Sequence, residues 1–132
     1  MSLSTDYGAF VRAIMEGVAL SMRDCMEIMP AAKKSISPIP LGGGAANSRV
    51  WCQIFADVLN RPIVRLKSGE TETLGDFIIA AESVGLTDVT RDFGKKLAAE
   101  SEVLYPDPAA ALVYDKAYQK YKAVYQNTKT LF

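Results

Sequence analysis

The chain has 132 residues, 49% of them apolar and 23% charged, which is the size and balance of one folded domain rather than of a disordered segment. Fifteen Lys and Arg offset fifteen Asp and Glu. That excludes a global field drawing the chain to nucleic acid or an anionic membrane, and no apolar run is long enough to span a bilayer. There is no histidine, so chemistry would fall to carboxylates, backbone amides or groups outside the chain. Met1-Ser2-Leu3 does not read as the opening of a secretory signal. Cys25 and Cys52 each sit inside a predicted helix without CxxC spacing, and both are expected to be reduced and buried in a cytoplasmic protein.

Residues 8–29 read as a long helix. Phe10, Ile14, Val18, Met22, Cys25 and Met29 recur at helical spacing, and Arg12, Glu16, Arg23 and Glu27 line another face. Val11, Met15, Leu20 and Met26 widen the apolar side, so the helix is expected to be buried on more than one side and to end at Pro30. Ile36 to Leu41 has strand character, although Pro38 and Pro40 each remove a backbone donor. Gly42-Gly43-Gly44-Ala45-Ala46-Asn47-Ser48 follows, and then a second helix with Trp51, Ile54, Phe55 and Val58 on its buried stripe and Asn60 at its end.

Ile63 to Leu66 reads as a strand. Glu70 to Val84 is predicted as a third helix with Leu74, Phe77, Ile78 and Ala81 inward, stopped at Gly85. Thr87 to Ala98 is a weaker helix, and Val103-Leu104-Tyr105 a short extended piece. Pro106-Asp107-Pro108 opens a last helix running to about Asn127, on which Tyr114, Tyr118, Tyr121 and Tyr125 share one broad side with Lys116, Lys120 and Lys122 among them. The tyrosines are expected to cover the core edge with their hydroxyls in water, a nucleic-acid stacking platform being disfavoured by the balanced charge. The alternation of helix and strand predicts an α/β unit with parallel neighbours. Its sheet is small for helices this apolar, and the missing strands are expected before residue 1.

A glycine cluster between strand and helix lets a ligand approach the backbone, where first-turn amides favour phosphate or a polar ring edge. GxGxxG fails at Asn47 and the Walker pattern lacks its Gly-Lys-Ser/Thr. A tight turn that merely packs helix on strand explains the glycines as well, and Asn47 and Ser48 cap a helix under either reading.

Several segments in order resemble one family. Phe10 to Ala19 is similar to the F-x-x-A-(aliphatic)-x-E-G-(aliphatic)-A helix of the FGGY kinases. Gly43-Gly44-Ala45-Ala46-Asn47-Ser48, with Trp51, Gln53, Ala56-Asp57-Val58-Leu59 and Arg61-Pro62-Ile63, resembles that family's glycine loop and following helix. Glu70 to Gly75 resembles its E-x-x-x-L-G helix start, with Ala80-Ala81 where the family has small residues. Tyr105-Pro106-Asp107-Pro108 and the Tyr-rich tail through Lys129-Thr130-Leu131-Phe132 are most similar to its xylulokinase branch. Departures are Ala9 in place of a polar residue, the absent glycine-containing half of the first motif, Asp76 for a usual alanine, and Pro38 and Pro40 in a normally aliphatic strand.

The resemblance implies an α/β fold, a partial actin-like, ribonuclease-H-like domain. Residues 1–132 would form a single unit, the C-terminal half of the second domain of such a kinase, with 1–7 as the start of a shortened chain. It implies ATP with Mg²⁺ held mainly by phosphates, and transfer of the γ-phosphoryl group to a sugar such as xylulose. The sugar and the catalytic base would lie with a first domain outside this chain. Gly43, Gly44 and Ala45 would approach the nucleotide through backbone, with Ser48 at the adenosine edge and Asn47 beside it. No residue here is expected to be catalytic or to hold a metal. Glu16, one turn from Arg12, is read as an ion-pair partner, and Asp57 and Glu70 as structural carboxylates. The chain alone is expected to be inactive and to self-associate, without nucleic-acid or membrane partners. A non-catalytic nucleotide-binding or interaction module reusing the fold is the alternative.

Overall fold

A computed structural model describes residues 6–29, 37–67 and 71–131. In chain order these form α1 (Tyr7–Ile28), β1 (Ile39–Leu41), a 3-10 turn (Gly44–Asn47), α2 (Arg49–Leu59), β2 (Ile63–Arg65), α3 (Thr71–Ser83), α4 (Thr87–Ala99), β3 (Glu102–Leu104), α5 (Pro108–Thr128) and a closing 3-10 turn (Lys129–Leu131). Pro30, Ile36 and Glu70, which carry expectations above, fall outside the described residues.

The hub is α2. Ser48 caps it, its Oγ accepting from the Trp51 amide at 3.3 Å, and Asn60 ends it in the left-handed region at φ 49°, where Arg61 N–H returns to Ala56 O. Between the caps Cys52, Ile54, Phe55, Ala56 and Val58 are all buried. Ile54, Phe55, Ala56 and Val58 share one core with Ala19 and Leu20 of α1, Ile63 of β2, and Tyr114 and Tyr118 of α5. Deleting a side chain such as Ile54 to Ala would remove about 2–5 kcal/mol, the usual cost of a core cavity.

The sheet runs β1-β2-β3, with β1 parallel and β3 antiparallel to β2. The parallel pair was expected; the antiparallel edge was not. β1 is shorter than the predicted Ile36–Leu41, and its prolines explain where it can lie. Ile39 N–H donates to Pro62 O and Leu41 O accepts from Leu66 N–H, so positions 39 and 41 turn their backbone groups toward β2. Alternation then turns Pro40 to the open edge, where no donor is required.

Two expectations about α1 are corrected. Phe10, Ile14, Val18 and Met22 are 45–54% exposed, Met29 is exposed, and Cys25 is exposed rather than buried. The covered side is Ala19 and Leu20 with Met15, flanked by Glu16 and Arg23. Those charges are drawn inward because α5 brings them partners. Tyr114 Oη accepts from Arg12 at 2.9 Å and donates to Glu16 at 2.8 Å, while Tyr118 Oη donates to Asp24 at 2.8 Å. These two hydroxyls are therefore bonded to side chains, not wet as expected; Tyr125 alone of the stripe is largely exposed, and Tyr121 is half-buried. Burial first, then the Asp24 bond, pushes the Tyr118 hydroxyl up to about 12. On α3 the inward set is also narrower than predicted: Ala81 is buried, but Phe77 is 44% exposed and meets Phe93 of α4 edge-on.

The candidate nucleotide loop

The loop between β1 and α2 turns on Gly43, whose φ of 69° and ψ of −157° belong to glycine. Gly44–Asn47 then make one 3-10 turn ahead of the Ser48 cap. Ala46 is buried, Gly43, Ala45 and Ser48 are half-buried, and Gly44 and Asn47 are exposed. The five positions singled out by sequence, Gly43, Gly44, Ala45, Asn47 and Ser48, thus form one continuous surface turn at the head of α2. The cap is Ser48, not Asn47.

Five carbonyls of this loop, those of Gly43, Ala45, Ala46, Asn47 and Ser48, are engaged by the protein. Gly43 O accepts from Ala46 N–H, Ala45 O from Ser48 N–H and the Cys52 thiol, and Ser48 O from Cys52 N–H. Ala46 O accepts from Arg65 Nε at 2.6 Å and Asn47 O from Arg65 Nη2 at 3.4 Å. The donors differ: Gly44 and Ala45 stand in the first turn, where amides have no intrahelical partner. An anion or polar edge is the group such a surface accepts.

Gly44 has an ordinary φ, and a Cβ built on it meets nothing within 4 Å. Neither backbone conformation nor packing demands glycine there.

Two of the carboxylates weighed from sequence, Glu16 and Asp57, have protein partners. Glu16 accepts from Arg12 Nε at 2.8 Å, as the one-turn spacing predicts, and from Tyr114. Asp57 is buried, accepting from Gln53 Nε2 at 2.9 Å and from the Asp107 amide at 2.8 Å. Gln53 also donates to Tyr105 O at 2.8 Å, so α2 clasps the chain just before α5. Sequence reasoning passed over Arg65 and Glu102. Their signal was present: a charge inside the apolar run Ile63 to Leu66, and another at the start of the last extended piece. Glu102 lies opposite Arg65 across β2–β3 and bridges it to Arg49, which with Arg65 holds the carboxyl below its ordinary range. Among the described residues no group of three or more His, Cys, Asp or Glu is placed to hold a metal ion.

Comparison with known proteins gives the loop its setting. Xylulose kinase of Staphylococcus epidermidis is 34% identical over 122 residues, 92% of this chain and 25% of the relative. Autoinducer-2 kinase of Photorhabdus laumondii is 32% identical over 91% of this chain and 23% of its own length. The crystal structure of xylulose kinase from Rhodospirillum rubrum superposes with a TM-score of 0.74 and 31% identity, over 99% of this chain and 27% of that one. The chain therefore spans about a quarter of the length of these relatives, and has the fold of part of their actin-like, ribonuclease-H-like architecture. Residues 1–84 match the C-terminal domain of the FGGY family of carbohydrate kinases, and to that family the chain belongs.

Proposed function

We propose that the chain is the nucleotide-binding C-terminal part of an ATP-dependent sugar kinase, which moves the γ-phosphoryl group of ATP to a hydroxyl of a ketopentose such as xylulose. Family membership supports the reaction class, and the xylulose kinase relatives support the acceptor. The observation that carries the site is Gly44, a glycine that the fold itself does not require, beside first-turn amides free to meet an anion. Gly43, Gly44 and Ala45 meet the nucleotide by backbone, Ser48 lies at the adenosine edge and Asn47 beside it. Magnesium arrives with the nucleotide, held mainly by its phosphates.

Phosphoryl transfer needs a base, a sugar pocket and a metal–phosphate clamp held together. Glu16 and Asp57 are committed to protein partners, and the base and the sugar pocket belong to a first domain beyond these residues. The chain alone is inactive, and it works in the cytoplasm. It associates with itself through the exposed apolar face of α1.

The test is a calorimetric titration with Mg·ADP together with a coupled ATP assay across pentuloses. The chain binds ADP, Gly44→Val does not, and neither turns over sugar. Equal ADP binding by both proteins would remove the loop from the site, and steady turnover by the pure chain would overturn the division of labour.

A further inference from the structure

We infer that Arg65 is a positioning residue for the nucleotide loop: it ties down the carbonyl side of the Gly44–Asn47 turn and so keeps the amide side facing the phosphates. The inference rests on the nucleotide reading of the loop. Leu41, the last residue before the loop leaves β1, is the register partner of Arg65 on β2, which places the guanidinium beside the turn. Its three nitrogens divide the work. Nε donates to Ala46 O at 2.6 Å, Nη2 to Asn47 O at 3.4 Å, and Nη1 to Glu102 Oε2 at 3.1 Å.

Glu102, also held by Arg49 Nε at 2.8 Å, fixes the fork in plane. Gly43, Ala45 and Ser48 carbonyls already accept from within the loop and α2, and Arg65 engages those of Ala46 and Asn47. Released, those carbonyl dipoles are free to swing toward the ligand side, where they repel phosphate oxygens. A planar fork serves here as an ammonium does not, because one Lys cannot reach two carbonyls and a carboxylate in fixed directions.

The experiment titrates the chain, Arg65→Lys and Arg65→Met with Mg·ADP and with adenosine, at a temperature where circular dichroism shows each protein folded. The ADP Kd is expected to rise roughly tenfold for Arg65→Met and about threefold for Arg65→Lys, the scale of one charge-assisted hydrogen bond, while adenosine binding stays unchanged. A loss of adenosine binding in step with ADP, or ADP binding equal to the parent chain in both variants, overturns the inference. If Arg65→Met does not fold, Arg65→Lys decides by the same criteria. Amide hydrogen exchange separates this failure from that of the nucleotide reading. Faster exchange at Ala46 and Ser48 in Arg65→Lys, with no ADP binding by any protein including the parent, leaves the buttress standing and removes the nucleotide. Unchanged exchange with intact ADP binding does the reverse.

Discussion

Gly43 and Gly44 are neighbours of the same type, and the fold asks different things of them. Gly43 sits at φ 69°, so Gly43→Ala should lower stability by about 1–3 kcal/mol without any ligand present, read as a drop in melting temperature. Gly44 has open space around its missing side chain, so Gly44→Ala should melt no lower than the parent while binding Mg·ADP more weakly. A fall in melting temperature for Gly44→Ala would show that the protein, not a ligand, needs that glycine. Ser48→Ala removes the α2 cap and should cost about 1 kcal/mol in ligand-free melts. Tyr118 supplies a pH signature. Its hydroxyl stays protonated to about 12 in the fold against about 10 when unfolded, so its contribution is full below pH 10. It is lost as pH rises from about 10 through 12. Denaturant midpoints should fall across that window, and Tyr118→Phe should flatten the fall in part, since burial also raises Tyr114.

Among elements, α2 and its flanking strands were legible because local signals agreed: a cap at Ser48, an unbroken apolar stripe, and Asn60 ready for the left-handed stop. The face of α1 was not legible. Periodicity shows that a helix has an apolar and a charged side, but not which side a neighbour will cover. Here Arg12, Glu16, Arg23 and Asp24 find partners on α5, a helix that begins some eighty residues later, and no spacing within α1 announces them. A shorter separation, 37 residues, hid Arg65 and Glu102, whose pairing exists only once β3 folds back on β2. Arg23 shows how dense the seam is. It donates to Val58 O at 3.0 Å and Asp115 at 2.7 Å, and lies over the Tyr118 ring at 4.5 Å. The other anchor of α5 is Asp57. Asp57→Ala should cost about 1–3 kcal/mol, because it strands the Asp107 amide, and hydrogen exchange should show the first turns of α5 loosening before α2. Protection lost evenly across both helices would mean that the clasp is not what seats α5.

For the whole molecule, the row Phe10, Ile14, Val18 and Met22 is exposed, and the proposed self-association rests on it. Self-association is expected to use this face and not the sheet edge, since Pro40 leaves the β1 edge without a donor at its centre. Val18→Lys should therefore move the light-scattering mass toward a single chain while leaving the melting temperature nearly unchanged. A mass equal to one chain for the parent protein across a wide concentration range would remove the proposed contact. The family fold was readable from motifs in order, because glycine loop, capped helix and short strand are local devices. The division of α1 into one covered and one open side depends on what packs beside it.

Trp51 gives the seam between α1 and α2 an optical voice. It is the chain's single tryptophan, its indole N–H donates to Met15 O at 3.2 Å, and its ring stacks on Phe55. Indole emission therefore follows α1 lifting from α2, while absorbance of the buried Tyr114 and Tyr118 phenols follows α5. One denaturant series recorded in both channels would time the departure of two helices from the same hub, with no label attached.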